Sequence, residues 1–347
     1  MIDCDALVIG AGQAGLAAAR ALRRAGRTPI VLEAGDAPVG SWPSYYASLT
    51  LFSPARYSAL PGMPFPGDPD RYPHRDEVIG YLRDYAERLG ADIRLGDRAS
   101  TVTHDGTAFT VAVAGQESFR APLLIAATGG FGTPHRPVLP GLDRFTGTLL
   151  HSADYRTPAP FAGQRVVVVG SANTAVQIGA ELAAHARVTL ASRHPVRLVA
   201  QRPLGRDVHF WFRVTGFDTA PIGPLPRTPA HTPVLDDGRY LTALASGNPD
   251  QRPVFTGIDG ERITWADGTA EHVDTIILAT GYRPNVSYLQ PLGVLDTHGT
   301  PLQRRGLSTT HPGLGYVGLE WQRSFASATL RGAARDAHYV TRRLHPR

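Results

Sequence analysis

Gly10, Gly12 and Gly15 stand at the spacing Gly-x-Gly-x-x-Gly, with Gln13 and Ala14 between them, and Glu33 follows 23 residues after Gly10. Glycines at this spacing suit a backbone that must pass close to a pyrophosphate. The first allows a tight turn, the second lets the chain approach the phosphates, and the third lets a helix pack closely on a strand. A carboxylate about twenty residues further on accepts hydrogen bonds from ribose hydroxyls. The chemistry expected is capture of a dinucleotide whose ribose carries no phosphate. A second set, Gly170, Ser171, Ala172, Asn173, Thr174 and Ala175, is followed by Arg193 and His194, with Arg193 again 23 residues after the first glycine. Arg193 is therefore expected at the place that Glu33 takes in the first set, with the charge reversed. A carboxylate repels a ribose 2′-phosphate, whereas a guanidinium binds it through paired, charge-assisted hydrogen bonds, and His194 beside it is a candidate to share the contact. Ala172 and Ala175 replace the second and third glycines, so the second site is expected to hold its ligand more loosely.

Each set needs a strand running into the turn, a helix whose N-terminus faces the phosphates and a second strand carrying the charged residue. The sequence supplies them twice. Ala6–Ile9 leads into a helix reaching about Ala25 and a strand Pro29–Leu32; Val166–Val169 leads into a helix reaching about Ala184 and a strand Val188–Ser192. Each unit also closes alike: Leu123–Ala126 precedes Ala127, Thr128 and Gly129, and Thr275–Leu278 precedes Ala279, Thr280 and Gly281. Two copies of one grammar make an internal repeat, and the expected fold is α/β with two Rossmann-like dinucleotide-binding domains.

Composition removes other chemistries. At roughly 150 residues per domain, 347 residues mean about two domains. All 35 basic residues are Arg, which excludes Schiff-base, P-loop and general-base lysines. Cys4 is the lone cysteine, so an intrachain disulfide, a Cys-x-x-Cys redox pair and a cysteine metal cage are all excluded, and no metal is expected. Scarce cysteine and an N-terminus without a basic leader lead to the expectation of a cytoplasmic protein. The apolar run Ala6–Ala19 is broken by Gln13 and ends at Arg20, short of a membrane span. The net charge of +5 is carried by arginines that fall 11, 8, 8 and 8 across residues 1–100, 101–200, 201–300 and 301–347. That scatter is no nucleic-acid patch; Arg20, Arg23, Arg24 and Arg27 read as one solvated helix face.

Three further segments complete the pattern. Phe145–Tyr155 has Phe-x-Gly-x-x-x-His-x-x-x-aromatic spacing with His151 at its centre, Gly40-Ser41-Trp42 follows the first acidic strand, and Pro312–Gly318 is followed by Ser327-Ala328-Thr329-Leu330. Over nearly its whole length the chain resembles the class B flavoprotein monooxygenases, which include flavin-containing and Baeyer–Villiger monooxygenases, and within them the short bacterial flavin-containing members. The resemblance implies FAD in the first site and NADPH in the second, with NADH admitted. It implies a flavin domain of residues 1–155 and 282–347 with an NAD(P)H domain of 156–281 inserted, and places Ser41, Trp42, Ala328 and Thr329 at the flavin. His151 would be the fixed histidine of the linking segment. Phe52 aligns with an Asn that many members hold over the flavin. The implied activity uses O2 and a C4a-(hydro)peroxyflavin to oxygenate a small nucleophile, a sulfide or amine, with ketones open. Two other readings stand beside it: a flavin reductase or oxidase that inserts no oxygen, kept alive by Phe52, and a non-enzymatic FAD-binding redox sensor. A homodimer is left open. Between Pro195 and Pro253 lie 9 of the 29 prolines, around Phe210-Trp211-Phe212; this excursion either lines a substrate path or is a surface loop packed by its own aromatics.

Overall fold

Strands whose residues are all apolar must be covered on both faces, and this requirement organises the chain. The computed structural model describes residues 1–223 and 233–345; residues 224–232 of the proline-rich excursion lie outside them. Strand β1 (Ala6–Ile9), helix α1 (Gln13–Arg24), strand β2 (Pro29–Glu33), helix α2 (Arg75–Leu89) and strand β3 (Asp92–Leu95) come first. An antiparallel meander, β4 (Ala99–His104), β5 (Phe109–Val113) and β6 (Phe119–Ala121), leads into β7 (Leu124–Ala126). In the first sheet β7, β1, β2 and β3 run parallel in that spatial order, and the late strand β13 (Leu314–Tyr316) returns beside β7. Every residue of β1 and β2 is buried. Helices α1, α2 and the last helix, α6 (Leu330–Thr341), cover one face, and the meander covers the other.

The second sheet is assembled from β8 (Thr148–His151), β9 (Arg165–Val169), β10 (Arg187–Ser192), β11 (Asp250–Pro253) and β12 (Thr275–Leu278). Its five strands are all parallel, in the order β8, β12, β9, β10, β11. Helices α3 (Asn173–Leu182) and α5 (Arg239–Ala245) lie on one face, and a small antiparallel sheet spanning 257–272 packs on the other. Helix α4 (Val208–Val214) lies within the excursion.

Two short strands tie the sheets together: Thr133–Pro134, downstream of β7, pairs antiparallel with Tyr282–Arg283, downstream of β12. The two strand–turn–helix–strand runs appear within two residues of the expected boundaries. The register corrects one expectation. Ile9 pairs with Leu32, and Val169 with Ala191, so the residue matching Glu33 is Ser192. Arg193 lies one position further on, because the second helix and its loops are one residue shorter.

Candidate functional site

The site is built from two glycine turns with the same internal wiring. In the first, Gly10 has φ +100° and donates its N–H to Leu32 O at 2.8 Å, and Ala127 donates to Ile9 O at 2.8 Å. In the second, Gly170 has φ +146° and donates to Ala191 O at 2.9 Å, and Ala279 donates to Val169 O at 2.9 Å. A Cβ on Gly10 would stand 2.9 Å from Ala127 O, and one on Gly170 2.5 Å from Ala279 O. Each closing Ala-Thr-Gly segment therefore presses on the first glycine of its own turn. The turns differ at the third position. A Cβ on Gly15 would lie 1.7 Å from Gly10 O, whereas Ala175 carries its methyl fully buried. The first turn is closed tightly enough to exclude a methyl group; the second has room for one.

Both helix N-termini are open to an anion. Gly12 caps α1 and Ala172 caps α3, neither with a side-chain hydrogen bond nor an acidic residue in the first turn. By contrast, Asp207 caps α4 and Thr329 caps α6 with their side chains. An uncapped N-terminus with free N–H groups suits phosphate. Glu33 is buried at the edge of the first turn, where Oε2 accepts the Ala11 N–H at 2.6 Å and Oε1 the Gly35 N–H at 2.9 Å. Arg193 and His194 are exposed at the end of β10, and Ser192 Oγ donates to His194 O at 2.6 Å. Ser171, Asn173 and Thr174 are half-buried around the second turn. The residues present fit two dinucleotides, with an acid at one ribose position and a base near the other.

The segment after β2 joins the two turns. Gly40 packs on Gly12, with a Cβ on the latter 3.5 Å from Gly40 Cα. Gln13 Oε1 accepts the Trp42 indole N–H at 2.9 Å, and its Nε2 donates to Ala328 O at 3.5 Å. One side chain thus gathers the first turn, the Gly-x-Trp loop and the approach to α6. Ser41 is exposed, 3.0 Å from the Tyr45 hydroxyl. Trp42 and Leu51 pack on the first core, while Tyr46 belongs to the second core and donates to Gln177 Oε1 on α3 at 2.7 Å. Residues 40–46 thus link the first turn to α3, and Leu49 and Leu51 pack on the second and first cores in turn. Tyr46 and Gln177 carry this bridge and escaped the sequence reading, since nothing in their spacing pairs residues so far apart.

His151 and Phe52 occupy unlike surroundings. His151, at the end of β8, is fully buried; the Ala153 N–H donates to Nδ1 at 3.1 Å, so Nε2 carries the proton and donates to Gly281 O at 3.1 Å. Burial pushes its pKa down. With both ring nitrogens on backbone groups, it clamps the linking segment to the second closing turn. Thr280 Oγ1 donates to His135 O in the same link, and Thr128 Oγ1 to Asn285 O at 3.0 Å. Phe52 is partly exposed, its ring stacked near His209 with centroids 6.0 Å apart. The excursion folds back through α4, where Phe212 meets Phe325 at 5.3 Å and Asp218 pairs with Arg331. It packs on the flavin-domain residues expected from the sequence rather than on itself alone.

The geometry has counterparts among known proteins. A family model described as pyridine nucleotide-disulphide oxidoreductase matches residues 7–209. The solved flavin-containing monooxygenase from Stenotrophomonas maltophilia is 33% identical, covers 99% of this chain and 98% of its own, and superposes with a TM-score of 0.87. The chain belongs to the flavin monooxygenase family. This flavin monooxygenase is also similar to the indole-3-pyruvate monooxygenase YUCCA1 of Oryza sativa subsp. japonica, 31% identical over 98% of this chain and 91% of the relative. An uncharacterized CzcO-like oxidoreductase of Geobacillus kaustophilus is 31% identical over 97% of each chain. Membership implies an oxidoreductase that works with FAD and a nicotinamide cofactor on a small molecule and O2. The family model's name includes disulfide chemistry, which a chain with Cys4 as its lone cysteine has no thiol pair to perform. Among the described residues no helix is long and apolar enough to cross a membrane, and no cluster of three metal-ligating side chains occurs.

Proposed function

We propose that this protein is an FAD-dependent monooxygenase that uses NADPH and O2 to oxygenate a small nucleophilic sulfide or amine, with Baeyer–Villiger oxidation of ketones open to the same site. The observation that carries the reading is the pair of glycine turns at the two ends of one segment, tight and acidic at Glu33, looser and basic at Arg193. On this reading the chain comprises two Rossmann-like domains, a flavin domain of residues 1–155 and 282–347 and an inserted NAD(P)H domain of 156–281. The first turn, with Gly10, Gly12, Gly15 and Glu33, suits a resident cofactor. The second, with Gly170, Ala172, Ala175 and Arg193, suits a cosubstrate that leaves after each turnover. FAD, when bound, takes the hydride and carries activated oxygen to the substrate. Gln13, Trp42, Ala328 and Thr329 would hold it. The chain's own part is to align the two ligands across residues 40–46, keep water out with the excursion, and hold the link rigid through His151.

Phe52 supports a second reading. Where the resemblance sets an Asn over the flavin, an apolar ring has no hydrogen bond to offer the bound ligands, and a reductase or oxidase that releases hydrogen peroxide would need none. The test is a balance sheet. Purified protein with its flavin content measured is supplied with NADPH, O2 and, in turn, an aryl methyl sulfide, a tertiary amine, a cyclic ketone and indole-3-pyruvate. Oxygenated product matching NADPH consumed supports the monooxygenase. Hydrogen peroxide accounting for all of it, whatever the substrate, overturns that reading in favour of the oxidase.

A further inference from the structure

Neither glycine turn uses a buried polar pair that the excursion carries. His209 on α4 is fully buried, and its Nδ1 lies 2.8 Å from Asp207 Oδ1. An ionised carboxylate only accepts, so Nδ1 carries the proton. Nε2 then holds a bare lone pair, buried and without a hydrogen-bond partner among the described residues. Asp207 is saturated with donors: the His209 backbone N–H at 2.9 Å, the Tyr72 hydroxyl at 2.5 Å and Gln201 Nε2 at 2.8 Å. Burial pushes the Asp207 carboxyl up, and the hydrogen bonds from His209, Tyr72 and Gln201 outweigh it and hold the carboxyl below its usual range.

This pair grips Phe52. The imidazole stacks against Phe52 at 6.0 Å and 22°, and against Tyr57 at 6.1 Å and 27°, with Phe212 edge-on at 5.6 Å. Gln201 Nε2, besides binding Asp207, donates to Phe52 O at 3.3 Å. The backbone of Phe52 and one face of its ring are thus both held by groups that meet at Asp207. A phenylalanine in place of His209 could stack equally well but would take away a donor that the buried carboxylate needs. The ring alone does not account for a histidine here.

We infer that Asp207 and His209 are a positioning pair that sets the ring of Phe52 on the segment between the two turns, and that through Phe52 they govern how reduced flavin and O2 are partitioned. The inference rests on the monooxygenase reading above. The balance is simple: the NADPH hydride and a proton reduce the flavin, and with O2 either one oxygen enters the substrate and the other leaves as water, or both leave as hydrogen peroxide. The reading above sets Phe52 beside the flavin, and on it a ring no longer held by Gln201 and His209 favours the second outcome.

The test compares the holoenzyme with His209→Phe, Phe52→Ala and the double variant, each checked for flavin content and for flavin reduction by NADPH. The expected result is a severalfold rise in the hydrogen peroxide share in His209→Phe with the reduction rate within twofold of the parent. The double variant should be no worse than Phe52→Ala, because His209 acts through that ring. An unchanged peroxide share, or losses that multiply in the double variant, overturns the inference. If His209→Phe does not fold, Tyr72→Phe removes one donor from Asp207 and should raise the peroxide share in the same direction; no change there overturns it as well. A parent protein that makes no oxygenated product at all sinks the monooxygenase reading instead.

Discussion

On the proposed reading, charge at the strand end decides which ribose each turn accepts. Glu33 is locked onto the Ala11 and Gly35 N–H groups, while Arg193 is exposed one residue beyond the matching position, and an arginine side chain readily spans one residue. Arg193→Ala should weaken NADPH by about 1.5–3 kcal/mol, the range for a hydrogen bond to a charged group, and change NADH little. Steady-state kinetics with the two cofactors check this, and equal losses for both would take the role from Arg193. A second prediction concerns acid. Burial lowers the pKa of His151 and His209 from the ordinary 6.5, and the Arg331 charge adds to the effect at His209 while Asp207 opposes it. Unfolded, both take protons as pH falls through 6.5; folded, they stay neutral to lower pH. The unfolded state then binds more protons, so stability is full above about pH 6.5 and declines below it, toward the lowered folded values. Urea midpoints between pH 8 and 5.5 should trace that decline, and His151→Gln should flatten it. A midpoint that is constant down to pH 5.5 contradicts the assignment of neutral buried rings.

At the level of the elements, the two turns make opposite demands on a methyl group. Gly15→Ala forces Cβ to within 1.7 Å of Gly10 O, a backbone atom that cannot move without opening β1 from α1; the expected outcome is a protein that folds poorly and retains no flavin. Gly170→Ala meets Ala279 O at 2.5 Å and an unfavourable φ, and should abolish nicotinamide binding while the flavin stays. Absorbance at the flavin band and cofactor titration separate the two cases, and flavin retained in Gly15→Ala would contradict the first. These turns were legible in the sequence because strand, turn and helix follow one another locally, and the apolar runs around them leave few alternatives. The closing strands were legible as a repeated signature, but that their Ala-Thr-Gly ends touch Gly10 and Gly170 is shown only by the structure. Helix α2 was not drawn from the sequence, although Val78, Tyr81, Leu82, Tyr85 and Ala86 repeat on one face; no chemistry pointed there. The offset of Arg193 by one residue was beyond counting, because equal spacing in sequence hid unequal loops. The Asp207–His209 pair was invisible for another reason: its partners Tyr72 and Phe52 arrive from more than a hundred residues away.

Across the whole molecule, the excursion adds a tie to α6 beside the strand pair and the His151 clamp that already join the two sheets. Among the described residues its strong polar anchor on α6 is Asp218, which meets Arg331 in a two-pronged pair at 2.7 and 3.0 Å with both side chains almost buried. Around it, Phe212, Phe217 and Phe325 pack with centroids 5.3 to 5.4 Å apart. A charge pair inside such an aromatic setting contributes little by itself, since the cost of drying both ions offsets their attraction, yet losing one partner leaves the other stranded. Asp218→Ala should therefore cost about 3–5 kcal/mol, and Arg331→Met should cost a similar amount. The combination Asp218→Leu with Arg331→Met should recover most of it, because the apolar pair fits its neighbours. Denaturant unfolding of the four proteins measures this directly, and single variants as stable as the parent would show that the excursion is not anchored there. The recovered double variant also isolates the anchor's role in chemistry. If the pair only fastens the excursion, that protein should couple NADPH to product as the parent does; a peroxide share that rises despite restored stability would place Arg331 among the groups that act on the bound ligands.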